Sequence, residues 1–252
     1  MKRTKVVIIL VIFGMSLICA AENIRFTNGE YPPFCSEKLP YYGLWSHIVS
    51  EAFAQEGFTV EYGFFPWKRS IVLVANGEWD GTLAFSKTPE RLQTLQFSET
   101  PIGDVSVVLF YRKNYKFDWK TVDDLQGHRI GVMQGYATAE ELEQFKKLGG
   151  NVTVEYATTE VQNFKKLLAD RIDIFPVVEE VAIKVLHNNF TQEEIDKLTT
   201  HPVPFKKKQL YVVFSKKNKQ PEVLYQAFER GMKKLKQSGR YNQMIKEHVN
   251  GK

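Results

Sequence analysis

The sequence predicts an α/β fold of two mixed sheets flanked by helices and joined by two hinge strands. Three observations carry that expectation. Short apolar runs alternate with helix-period segments for most of the length, as in architectures rich in parallel strands. Two long β-branched and aromatic runs, Val105–Arg112 and Gln209–Lys216, both end in basic residues and bracket a stretch large enough for an inserted lobe. The chain beyond its N-terminal segment, about 230 residues, is long enough for two lobes, each with its own core. The expected division places residues 22–112 and 208–252 in lobe 1 and 113–207 in lobe 2, with crossings near Arg112 and Lys208.

Residues 1–21 read as a cleavable secretory signal. Lys2, Arg3 and Lys5 precede the apolar run Val6–Ile18, and small Cys19, Ala20 and Ala21 follow, with cleavage expected after Ala21. The apolar run stops before Glu22, short of the ~20 residues that a spanning helix needs. Cleavage removes three of the 34 basic residues and leaves 31 against 29 acidic, a net of +2, so the charge balance does not call for an anionic macromolecule. No nucleic-acid-binding motif is present, and the clusters Lys206–Lys208 and Lys216, Lys217 and Lys219 read as solvated strand ends. Cys35 is then the sole cysteine, so packing rather than a disulfide is expected to hold the fold.

In chain order, Asn23–Thr27 reads as a strand. Leu44, Ile48, Val49, Ala52 and Phe53 recur at helical spacing before the stop at Gly57. Phe58–Phe65 is a second strand, Trp67–Asn76 a helix ended by Gly77, and Gly81–Phe85 an apolar strand. The grammar repeats: strand His128–Met133, a helix from about Ala139 to Leu148, strand Val152–Tyr156, a helix presenting Val161, Phe164, Leu167 and Leu168, and strand Ile172–Val178. Thr138 with Glu141, Thr159 with Gln162, and Thr191 with Glu194 have capping-box spacing. Amphipathic helical segments run from Glu222 to about Val249.

Several motifs, in order along nearly the whole chain, resemble the family 3 solute-binding proteins, the periplasmic receptors of ABC importers for amino acids and related solutes. They are Tyr31-Pro32-Pro33-Phe34, Phe65-Pro66-Trp67, Gly77-Glu78-Trp79-Asp80-Gly81, and Thr88-Pro89-Glu90-Arg91 with Phe97-Ser98. Asp124–Gly127 with Gly131–Gly135, Arg171-Ile172-Asp173, and Gly231 through Tyr241 follow. The resemblance implies the two-lobed type II periplasmic-binding-protein fold, a periplasmic location, a monomer, a small-molecule ligand without cofactor or metal, and an ABC permease or membrane receptor as partner. It implies Arg91 as the fork that grips a ligand carboxylate, with Ser86 as a hydroxyl donor and Ala84 offering only its backbone. Tyr31 and Trp67 are implied as aromatic walls. Tyr136, Ala137 and Thr138 stand where lobe 2 presents helix-start amides, and Thr138 reads equally as a simple N-cap.

One departure separates this chain from the family pattern. Val178 stands where an aspartate usually pairs with the ligand's amino group, so either Glu179 or Glu30 takes over or the ligand lacks a standard α-amino group. That shifts the expected ligand towards a carboxylate-bearing solute that is not an ordinary amino acid. No catalytic constellation stands out: His47, His128, His187, His201 and His248 lack metal-ligand spacing, and no nucleophile elbow or phosphate loop is present. The expectation is a binding protein and not an enzyme. The alternatives are a dehydratase of the cyclohexadienyl type on the same fold, with Glu179 as proton donor, and a ligand-sensing partner of a membrane receptor.

Overall fold

The computed structural model describes residues 21–250, so the expected signal segment lies outside the described residues apart from Ala21. Among them, no helix is long and apolar enough to cross a membrane. The first half alternates as the sequence predicts: β1 (Glu22–Asn28), α1 (Leu44–Ala54), β2 (Phe58–Phe64), α2 (Trp67–Asn76) and β3 (Gly81–Phe85). A short helix α3 (Pro89–Thr94) and strand β4 (Leu95–Phe97) follow, then the long strand β5 (Gly103–Arg112). The second half holds β6 (Arg129–Met133), α4 (Ala137–Lys147), β7 (Thr153–Ala157), α5 (Glu160–Leu168), β8 (Phe175–Val178), α6 (Glu179–Asn189), α7 (Gln192–Asp196) and β9 (Leu198–Thr200). β10 (Lys206–Ser215), α8 (Pro221–Gln237) and α9 (Arg240–Asn250) complete the chain.

β10 belongs to two sheets. Its second half, Tyr211–Ser215, pairs antiparallel with β3 and β4, in a sheet where β1 pairs parallel with β2 and β3. Its first half, Lys206–Leu210, pairs antiparallel with Val107–Gly103 of β5. β5 then pairs with β8 and β9, and an Ile130–Ile174 bridge joins the parallel pair β6–β7 to the segment before β8. Both sheets are therefore mixed. This register corrects the expected outward crossing. The chain leaves the first sheet between Phe97 and Gly103, and Arg112 sits at the far end of β5, deep in the second. There Arg112 donates to the carbonyls of Leu167 and Ile172 at 2.6 and 2.7 Å and pairs with Asp170 at 2.7 Å. A basic strand end looks solvated in sequence, but this one caps the turn between α5 and β8.

The cores also differ from the expectation of one per lobe. A large apolar cluster runs from Ile24 and Phe26 through Leu83 and Val213 to Phe164, Phe175 and Val181, so it continues through the shared strands. A second, smaller cluster gathers Leu125, Ile130, Val132, Leu142 and Ile174 between β6 and α4. Of the three capping positions the spacing predicts, two hold. Thr159 accepts from the Gln162 amide, and Thr191 and Glu194 form a reciprocal capping box. Thr138 is not a cap. α4 begins earlier, with Tyr136 at its N-cap, which places Thr138 inside the first turn.

Gly231 lets the C-terminal helices dock. α8 buries Leu224, Ala227, Phe228, Gly231, Met232 and Leu235, a helical stripe that packs on α1. A Cβ on Gly231 would lie 2.0 Å from the carbonyl oxygen of Ala52, a backbone atom that cannot step aside. Gly231→Ala is therefore expected to destabilise the protein by ~1–3 kcal/mol, the usual cost of overpacking. Chemical denaturation checks this, and an unchanged midpoint would show that α8 can slide on α1.

Candidate functional site

A cavity of about 560 Å³, its mouth included, lies between the two sheets. The first side is built on the end of β3. Phe85 pairs with Tyr211 and Thr82 with Val213, so Leu83 and Ala84 stand opposite one residue of β10, a β-bulge. Ala84 takes a left-handed φ of +66°, which costs a non-glycine residue ~1–2 kcal/mol. Bulges re-aim a strand, and Ala84, Phe85 and Ser86 all line the cavity.

Arg91 follows on α3, where the Thr88 hydroxyl accepts its amide and fixes the helix start. The guanidinium is 6% exposed and heavily engaged. Nη2 meets Oε1 of Glu140 at 2.6 Å and the Gly135 carbonyl at 2.9 Å. Nε meets the same Glu140 oxygen at 3.1 Å, and Nη1 meets the carbonyl of Ser86 at 3.1 Å. The Ser86 carbonyl, rather than its hydroxyl, is thus what touches Arg91. Oε2 of Glu140 is buried without a hydrogen-bond partner, so this carboxylate is held by one oxygen only.

The aromatic wall comes from both sides. Tyr31 is fixed by reciprocal backbone bonds with Cys35, and Phe34 of the same turn stacks on Trp45 at 4.0 Å. Trp67 anchors its ring by donating from Nε1 to the Glu30 carbonyl at 3.1 Å. Tyr136, from the second sheet's side, packs edge-on against both, at 5.8 Å from Tyr31 and 6.4 Å from Trp67. Its hydroxyl donates to Oε1 of Glu160 at 2.8 Å. Gly135, at φ +85°, brings its backbone directly onto the start of α2, where a Cβ would lie 2.6 Å from the Lys68 amide nitrogen. Ala137 and Thr138 line the cavity at the first turn of α4, where helix amides have no intrahelical acceptor and the dipole favours negative charge. Burial pushes the Cys35 thiol up to about 12, leaving it inert packing.

Eight of the nine residues singled out in sequence therefore line one cavity: Tyr31, Trp67, Ala84, Ser86, Arg91, Tyr136, Ala137 and Thr138. Glu179 does not. β8 ends at Val178, which caps α6, and the chain turns there so that Glu179 is exposed on the first helical turn. Glu30, Lys68 and Arg69 are exposed too, and none of them lines the cavity. Pro176, Val177 and Val178 complete an apolar side.

Sequence reasoning missed Lys208. It was expected to be a solvated strand end, yet its side chain is 8% exposed and lines the cavity. Nζ donates to Oγ1 of Thr138 at 3.0 Å and lies 3.3 Å from Glu141. Burial lowers the Lys208 pKa, while Glu141 acts to raise it. Strand alternation was the available signal. Lys208 and Leu210 share a face, Lys208 pairs across to Val105, and all three line the cavity.

The model of the bacterial extracellular solute-binding proteins, family 3, matches residues 25–251. Solved structures share the fold at low identity. An amino acid ABC transporter substrate-binding protein, AbpA from Streptococcus pneumoniae bound to L-arginine, is 21% identical with a TM-score of 0.71, covering 90% of this chain and 94% of that one. A histidine kinase sensor domain with similarity to periplasmic binding proteins is 16% identical, TM-score 0.77, over 91% and 97%. The ancestral amino acid-binding protein AncCDT-1, a precursor of cyclohexadienyl dehydratase, is 19% identical, TM-score 0.69, over 89% and 94%.

Glu160 gives the site a pH signature. It is buried, and burial pushes its carboxyl above the ordinary range, against the Tyr136 hydrogen bond that favours the charged form. A carboxyl raised in this way binds its proton more tightly folded than unfolded, so stability falls as pH rises from 4.5 through the raised value. Glu160→Gln keeps an acceptor for Tyr136 and removes the titration. Its melting temperature is expected to exceed that of the unaltered protein at pH 8, with the gap closing towards pH 4. A constant gap in thermal scans at both pH values would contradict this.

Proposed function

The chain belongs to the bacterial extracellular solute-binding proteins, family 3, and on that footing we propose that it captures a small carboxylate-bearing solute in the cavity and performs no chemistry on it. Delivery to a membrane permease of the ABC type, from the periplasm, is part of the same proposal. The observation that carries it is the lining: among the described residues, the charged side chains in the cavity are Arg91 and Lys208, and no carboxylate stands there.

The apolar side sharpens the ligand. Val178 pairs with Val107 on β5, and both line the cavity, so a ligand ammonium has no anionic partner at that wall. Burying an ammonium without one costs several kcal/mol. The same lining disfavours the dehydratase reading, because Glu179, its proposed proton donor, lies outside the cavity. An ABC permease and ATPase encoded beside this chain would support import, whereas a receptor kinase there would support sensing.

Calorimetric titration with organic acids and amino acids tests the reading. Arg91→Ala is expected to lower affinity for the bound acid by about 100-fold or more, since it removes a charge-assisted contact from a dry site. That variant also strips Glu140 of its partner and costs stability, so Glu140→Gln serves as the control. It breaks the same ion pair yet leaves the guanidinium in place, and it is expected to keep binding. Unchanged affinity in Arg91→Ala, or tight binding of neutral amino acids alone, would sink the proposal.

A further inference from the structure

We propose that the solute is a short dicarboxylate, with one carboxylate on Arg91 and the second on Lys208. This rests on the carboxylate reading above and adds a second anchor to it. Both cations are buried and line the same cavity, one from α3 beside the first sheet, the other from the strand that enters the second. Each is met from outside the cavity by a carboxylate of α4, Arg91 by Glu140 and Lys208 by Glu141. Consecutive glutamates on one helix thus already offer the two cations a pair of carboxylates.

Donor counting leaves room for the ligand. Arg91 has five N–H groups, and its contacts to Glu140, Gly135 and Ser86 use Nε, both groups on Nη2 and one on Nη1. One remains on Nη1. Lys208 has three, and its bonds go to Thr138 and Glu141, leaving one. The first-turn amides of α4 at Ala137 and Thr138 add further donors on the Lys208 side. Donors for an anion thus stand on both sides of the cavity.

Tyr136 sets the size. The resemblance places a ligand side chain between Tyr31 and Trp67, but the Tyr136 ring is packed edge-on against both. Glu160 holds its hydroxyl from behind. The volume that an amino-acid side chain would fill is therefore taken by the protein itself, and Phe85 also packs edge-to-face against Trp67 at 5.5 Å. What is left suits a short chain with charged ends and no branch.

The test compares malonate, succinate and glutarate with propionate, butyrate and valerate by calorimetry on the unaltered protein. The best dicarboxylate is expected to bind about 10- to 100-fold more tightly than its one-carboxylate counterpart, the worth of one hydrogen-bonded charge. Lys208→Met is expected to erase that ratio, and Lys208→Arg to preserve it. Glu141 keeps Lys206 at 3.0 Å in either variant, which limits the structural damage. Equal affinity for both series in the unaltered protein overturns the inference without any variant, as does a ratio that survives Lys208→Met. Either result leaves the carboxylate reading standing, because that reading fails on other outcomes, binding that ignores Arg91→Ala or tight binding of neutral amino acids alone.

Discussion

The backbone hydrogen bonds of β10 are divided between two sheets, and the cavity exists because of that division. Up to Leu210 the strand satisfies β5, and from Tyr211 it satisfies β3 and β4. No residue of a continuous strand can be left without ladder partners in a dry core, so the two sheets meet along one segment and must diverge on either side of it. The cavity fills that divergence. Its lining follows from the period-two alternation of the shared strands: Val105 and Val107 on β5, Lys208 and Leu210 on β10, Val178 on β8. The bulge at Leu83 and Ala84 belongs to the same constraint, since it lets β3 end by turning towards that space.

Electrostatics then organise what the backbone has opened. Arg91 and Lys208 are each too buried to be left to water, and desolvating such groups is costly without a partner. α4 meets that requirement with adjacent glutamates, and in doing so it links the two sides: Glu140 and Gly135 reach Arg91, while Thr138 and Glu141 reach Lys208. In the proposed reading, a solute that adds to the donors in place also favours the closeness of the two sides.

The aromatic cluster is the third layer. Tyr31, Trp67, Phe85 and Tyr136 meet mainly edge-to-face, the arrangement that ring quadrupoles favour. Tyr136 is the piece that comes from the other side, and its hydroxyl donates to the buried carboxyl of Glu160. A residue read in sequence as a departure from a family motif is, in three dimensions, a wall. That single exchange narrows the chemistry that fits without altering the fold.

The sequence by itself determined the α/β class, most helices and strands (α3, β4, α6 and β9 apart), and most of the residues it singled out for the cavity. Local signals sufficed for these, since apolar periodicity, glycine stops and capping spacings act over a few residues. The motif around Arg91 and the apolar Val178 were legible for the same reason. Three features were not. The crossing lies upstream of Arg112 because strand register, set by pairing partners about a hundred residues away, decides where one sheet hands over to the next. Glu179 points outside because β8 stops one residue before it, and a strand's end is fixed by its neighbours. Lys208, one of three consecutive lysines, is buried while Lys206 is half exposed, because only the pairing with Val105 tells which face of β10 looks inward. Chain-local chemistry chose the elements and put Arg91 at the start of α3. Long-range backbone pairing alone chose which charges would share the cavity.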